Sequence, residues 1–141
     1  MQEVSFERAL ELIRAKDSRF EDDAYAFVRE ALDHTQKSMG KGAHVRHVTG
    51  QELLVGIRDY ALTQFGPMAM TVLEEWGIRT CQDFGDIVFN MVDIGLLAKT
   101  EKDSRADFAS GYDFYDAFRK PFLPRNRLKA RKTASARPAS N

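Results

Sequence analysis

Few side chains in this sequence are equipped for chemistry, and their spacing narrows what that chemistry is. His44 and His47 lie three apart around Val45-Arg46. Neutral imidazoles at that spacing on a loop can share a metal ion, but a zinc site needs at least a third protein ligand. Only His34 is at hand in the neighbouring sequence, and a surface or capping role for the histidines is the simpler reading. Cys81 is the single cysteine, which excludes an internal disulfide framework and a cysteine-rich zinc site. It falls in the first turn of an expected helix, where the helix dipole lowers a thiol pKa. A nucleophilic thiol also requires a base, and His47 is the tempting partner; the competing reading is a structural thiol. Asp83 and Asp86 stand one helical turn apart, as do Asp103 and Asp107 if their segment is helical. Paired acids do acid–base work when buried in a cleft and are ordinary solvated charges on exposed turns.

Other patterns dissolve on inspection. Asp83-Phe84-Gly85 spells the metal-binding tripeptide of protein kinases, but the chain is too short and lacks the companion motifs. It has no phosphate-binding loop and no dinucleotide-binding glycine motif. The acids Glu21, Asp22 and Asp23 suit the positive end of a helix rather than a metal. Met68, Met70 and Met91 read as core filling. Trp76 reads as a core anchor, or as an interface hot spot if it is half exposed. No catalytic, cofactor-binding or metal-binding residue is therefore assigned. Trp76, His44 and His47 stand as candidate interface residues.

The elements that must position these groups read as helices. Ser5 opens the first, with Phe6, Ala9, Leu10 and Ile13 on one face. The second follows the acidic triplet, carries Ala24, Phe27, Val28, Ala31 and Leu32, and can close at Gly40. Thr49 and Glu52 match a capping box for the third, with Val48 packing on Leu53 as a staple. Leu54, Ile57, Ala61 and Phe65 give it a core face, Gly66 ends it, and Pro67 starts a short fourth helix through Ala69, Val72, Leu73 and Trp76. Thr80 with Asp83 caps a fifth, apolar almost all round (Phe84, Ile87, Val88, Met91, Val92, with Phe89 and Ile94 off the stripe) and hence central.

After Gly95 the pattern changes. Leu96 to Thr100 and Gly111 to Tyr115 are expected to pair as a short hairpin around turn formers such as Thr100, Asp103, Ser104 and Asp107. The competing reading is a short helix beginning at Ser104. Three helices followed by a hairpin give the C-terminal half a winged-helix-like order from Thr49 to Tyr115. The groove-reading helix would then be Cys81 to Ile94. Its polar residues are Gln82, Asp83, Asp86, Asn90 and Asp93, with no Lys or Arg, so phosphate charge would repel it. The fold expected is mainly α: one five-helix domain, winged-helix-like in its C-terminal half, with a short β-hairpin and a disordered basic C-terminal tail.

At 141 residues the chain is one domain's worth, and its 43% hydrophobic content supports a real core. Equal numbers of acids and bases, 21 each, hide an asymmetry. From Arg119 to Asn141 there are eight Lys and Arg and no Asp or Glu, leaving 13 bases against 21 acids elsewhere, a net of −8. Residues 1–123 form the expected acidic helical domain, and residues 124–141 the tail, whose one large apolar side chain is Leu128. Arg125, Arg127, Lys129, Arg131, Lys132 and Arg137 are its candidate contacts to a partner or to nucleic acid. No apolar run approaches the roughly 20 residues of a membrane span. Met1-Gln2-Glu3-Val4 shows no secretory signal, so the expected location is the cytoplasm.

The run His47-Val48-Thr49-Gly50-Gln51-Glu52-Leu53-Leu54, then Gly56 to Leu62, Gln64 to Ala69, Glu75-Trp76-Gly77-Ile78, Asp83 to Asn90 and Tyr112-Asp113-Phe114, carries a resemblance. Over residues 5–123 the chain resembles an uncharacterised conserved bacterial family of Planctomycetes and Verrucomicrobia. The resemblance implies a cytoplasmic bacterial source and no particular chemistry. The function expected from the residues is non-catalytic: an adaptor whose acidic helical body engages a protein partner, with the basic tail adding attraction. The alternative is nucleic-acid or ribosome association through the tail and wing, and a small enzyme ranks behind both. No cofactor and no membrane contact is expected.

Overall fold

A computed structural model describes residues 5–39 and 47–124. The five expected helices are present: α1 (Phe6–Lys16), α2 (Asp22–Met39), α3 (Gly50–Phe65), α4 (Ala69–Glu75) and α5 (Cys81–Asp93). Their starts are set locally. The Ser5 hydroxyl accepts the Arg8 N–H, and full capping boxes join Thr49 to Glu52 and Thr80 to Asp83. Each box satisfies two backbone donors that the first helical turn leaves without partners. A single 3-10 turn, Gly66–Met68, joins α3 to α4.

One core joins all of these elements. Packing of α2 against α3 is the most extensive helix pairing. The α5 helix lies at the centre, touching α1, α2, α3 and the turn over Arg105–Phe108. Phe84, Ile87 and Met91 of α5 are fully buried with Tyr25, Ile57 and Phe118. Val88 and Val92, on the expected core stripe, are only half buried, while off-stripe Phe89 is buried. The stripe is thus rotated, because what covers α5 comes from beyond Gly95.

That covering corrects the expected hairpin. Leu96–Thr100 and Gly111–Tyr115 are not strands, and no strand occurs among the described residues. The Leu96 and Leu97 N–H groups both bond the Met91 carbonyl, so they finish α5 instead of seeking a partner strand. Ser104 and Asp107 then form a capping box around a 3-10 turn, Arg105–Phe108, close to the competing reading of this segment. The Asp113 carboxylate caps a further one-turn helix, α6 (Phe114–Phe118). Its Phe114 and Phe118 lie four apart, turn inward and meet at 5.0 Å between ring centroids. Side chains that cap, at helical spacing, outweigh the β-propensity of the aromatics.

Without a wing the winged-helix-like description lapses, and α5 is no groove reader. Phe108 covers Gly85 and meets Phe89 edge to face, and Asp86 is held by Arg19 and Arg105, both at 3.1 Å. No helix among the described residues is long and apolar enough to cross a membrane. The expected basic tail, apart from Pro124, lies outside the described residues, as does His44.

Candidate functional site

The turn over Arg105–Phe108 and the irregular run from Leu96 to Ser104 do not close fully over α5. Between them, the start of α3 and the second half of α2 lies a cleft of about 280 Å³. Its walls are mainly aliphatic and aromatic: Leu32 from α2, Leu53 from α3, Val88 and Val92 from α5, Leu97, and Phe108. This explains why two valines of the α5 stripe are only half buried.

The polar side of the cleft is built on His47, two residues before the α3 cap, Thr49. Its Nε2 lies 2.8 Å from Asp103 Oδ2, and the same oxygen accepts the Thr100 N–H at 2.8 Å. Asp103 is largely enclosed, with its side chain 16% exposed. Burial alone would raise its pKa, but the Thr100 N–H and the His47 ring outweigh burial and hold the carboxyl below its ordinary value. Asp107 accepts the Ser104 N–H at 3.1 Å, and its backbone carbonyl accepts a hydrogen bond from the Gln51 side chain. Lys99 completes the rim.

The expected site residues disperse. His34 packs its ring on Tyr60 at 5.2 Å, along a groove between α2 and α3, and has no part in the His47 pair. Among the described residues no three His, Cys, Asp or Glu converge on a metal position. Cys81 does not meet His47. Its sulfur exchanges hydrogen bonds with the Tyr112 backbone, accepting the N–H at 3.3 Å and donating to the carbonyl at 3.4 Å. Burial pushes the thiol pKa up despite the Tyr112 N–H, the opposite of the shift expected at a helix start. The Tyr112 hydroxyl in turn donates to the Leu54 carbonyl at 2.8 Å, which fixes this corner as structural. Asp83 spends its carboxylate on the Arg79 and Thr80 N–H groups, so Asp83 and Asp86 are not a free acid pair.

Trp76 anchors the end of α4, half buried, 5.6 Å from Phe27 and 5.7 Å from Phe65, and does not line the cleft. No family model, curated protein or solved structure matches the chain. Sequence reasoning named His47 but missed Asp103 as its partner. Asp103 carried a turn signal, which the Thr100 N–H bond explains, and nothing local marks a partner 56 residues away.

Proposed function

We propose that this chain is a non-catalytic binding protein whose acidic helical body engages a protein partner, with the bases between residues 125 and 137 adding electrostatic attraction. The observation that carries this reading is the make-up of the cleft. Its walls suit an apolar side chain, and its two carboxylates are committed to backbone N–H groups and to His47. A pocket of this size takes one anchoring side chain, the kind of contact that dominates many interfaces. The acid surplus of the body and the separate basic stretch together select a partner carrying both a basic and an acidic patch, and speed encounter with it.

The test is affinity purification from the native cell with the wild type and with Val92→Trp, which fills the cleft from its α5 wall. The expected result is one protein recovered with the wild type and reduced at least roughly tenfold by the filled cleft, the loss of an anchor contact. Equal recovery by both would overturn the reading. A second reading, nucleic-acid or ribosome association, is favoured by six bases between Arg125 and Arg137 with no acid among them. Recovery of RNA or DNA that disappears when those six are changed to Gln would establish it in place of the first.

A further inference from the structure

We propose that residues 96–104 form a hinged strap along the cleft, latched by the His47–Asp103 hydrogen bond, so that a partner's apolar side chain enters when the latch opens. This regulation rests on the binding reading above.

Both ends of the segment are anchored and its middle is not. At the near end Gly95 has φ +87° with nothing within 4 Å of where a Cβ would stand, an open left-handed joint directly after α5. The Leu96 and Leu97 N–H groups, both on the Met91 carbonyl, are the last backbone ties to α5. At the far end Phe108 is 3% exposed over Gly85, and Arg105 reaches Asp86. Among the described residues, the backbone hydrogen bonds of 98–103 are local: Asp103 N–H to the Thr100 carbonyl, Lys102 N–H to the Thr100 hydroxyl, and Thr100 N–H to the Asp103 carboxylate. These bonds make a self-contained loop that can move as one piece. Leu96 and Leu97 pack against the core, and among the described residues the polar tie from the loop to another element is Asp103 to His47.

Segments with few backbone ties and one side-chain closure open at lower free energy than the fold around them. A strap of this kind exposes Leu97, Val88 and Val92 together, the apolar surface a partner's side chain would cover. Its closed form covers part of that surface and leaves the cleft at its edge, with Val88, Val92 and Leu97 half buried.

Amide hydrogen exchange on the full chain tests this, with His47→Ala as the variant. In the wild type the Leu96 and Leu97 amides, whose bonds to the Met91 carbonyl break as the strap swings about Gly95, should exchange well before those of Ile57 and Ile87. In His47→Ala they should exchange roughly tenfold faster, the effect of losing one hydrogen bond to a charged group, while Ile57 and Ile87 keep their rates. Those two core amides separate a released strap from a variant that is merely less stable. An apolar fluorescent dye should bind His47→Ala more strongly than the wild type, and the gain should vanish in His47→Ala/Val92→Trp. Strap amides unmoved by His47→Ala, or moving only in step with Ile57 and Ile87, would overturn the latch. A strap that opens as expected beside partner recovery indifferent to Val92→Trp would uphold the latch and remove the binding reading.

Discussion

Asp17 sits where α1 ends and three polar side chains meet. Its carboxylate accepts hydrogen bonds from Arg19 at 2.8 and 2.9 Å and from the Asn90 amide at 3.1 Å, with its side chain 20% exposed. The Arg19 guanidinium holds this carboxyl well below the usual carboxylate range, against the opposing pull of burial. Asp103 is depressed in the same direction by the Thr100 N–H and His47. A carboxyl with a lowered folded-state pKa stabilises the fold above its unfolded pKa, near 3.9, and the stabilisation fades as pH falls through the folded value. Stability from urea unfolding should therefore drop as pH goes from about 4 towards 2. Asp17→Asn should cost about 1–2 kcal/mol at pH 7, at the low end for a charged hydrogen bond because Arg19 is half exposed. The same substitution should cost less at pH 2, where the wild-type carboxyl is closer to protonation. An equal cost at both pH values would mean that Asn90 and Tyr25 merely repack.

The turn at Arg105–Phe108 decides the shape of the cleft although it is only four residues long. It docks because Gly85 leaves room: a Cβ there would stand 2.8 Å from Phe108 Cβ and 2.9 Å from its Cγ. Gly85→Ala should thus destabilise the protein by about 1–3 kcal/mol through overpacking, despite alanine's better helix propensity. Its mark should be earlier exchange of the Asp107 and Ala109 amides, which bond to the Ser104 and Ala106 carbonyls of this turn, seen by hydrogen exchange. If Gly85→Ala instead stabilised the protein, Phe108 would not be seated on α5 as described. The same region marks the limit of reading elements from sequence. Ser5, Thr49 and Thr80 announced their helices because a cap and its partner lie within one turn, so local hydrogen bonding is written in adjacent residues. Residues 96–115 carry two conflicting local codes, aromatic β-propensity and Ser104/Asp107 and Asp113/Asp116 capping pairs. What decides between them is burial of Phe108, Phe114 and Phe118 against α5, α3 and α4, which only the assembled core supplies. The candidate site was less legible still: His47 stood out by type, but Asp103 and the walls of the cleft come from four separate stretches of chain.

At the scale of the whole molecule the sequence separates charge, with a body rich in acid and a stretch from Arg119 whose charged side chains are all bases. Acids after α1, at the start of α2 and on α5 are partly neutralised within the body: Glu21 and Asp22 by Arg14, Asp17 and Asp86 by Arg19, Asp86 and Asp93 by Arg105. These pairs use the body's own cations, so its acid surplus remains available to the basic stretch or to a partner. Each alternative predicts a different response to salt. A protein partner gripped mainly by the apolar cleft should lose little affinity between 50 and 200 mM salt, because burial of apolar surface is not screened. Duplex nucleic acid held by the six bases should lose affinity with a log–log slope approaching about −5, from roughly −0.9 per neutralised phosphate. Binding isotherms over that range, repeated with Arg125, Arg127, Lys129, Arg131, Lys132 and Arg137 changed to Gln, read the two apart. For a cleft-bound partner the six changes should slow association several-fold and leave dissociation nearly constant, since charges outside the contact act on encounter. Affinity that is steep in salt, lost with the six bases and indifferent to Val92→Trp would move the function from the cleft to the basic stretch.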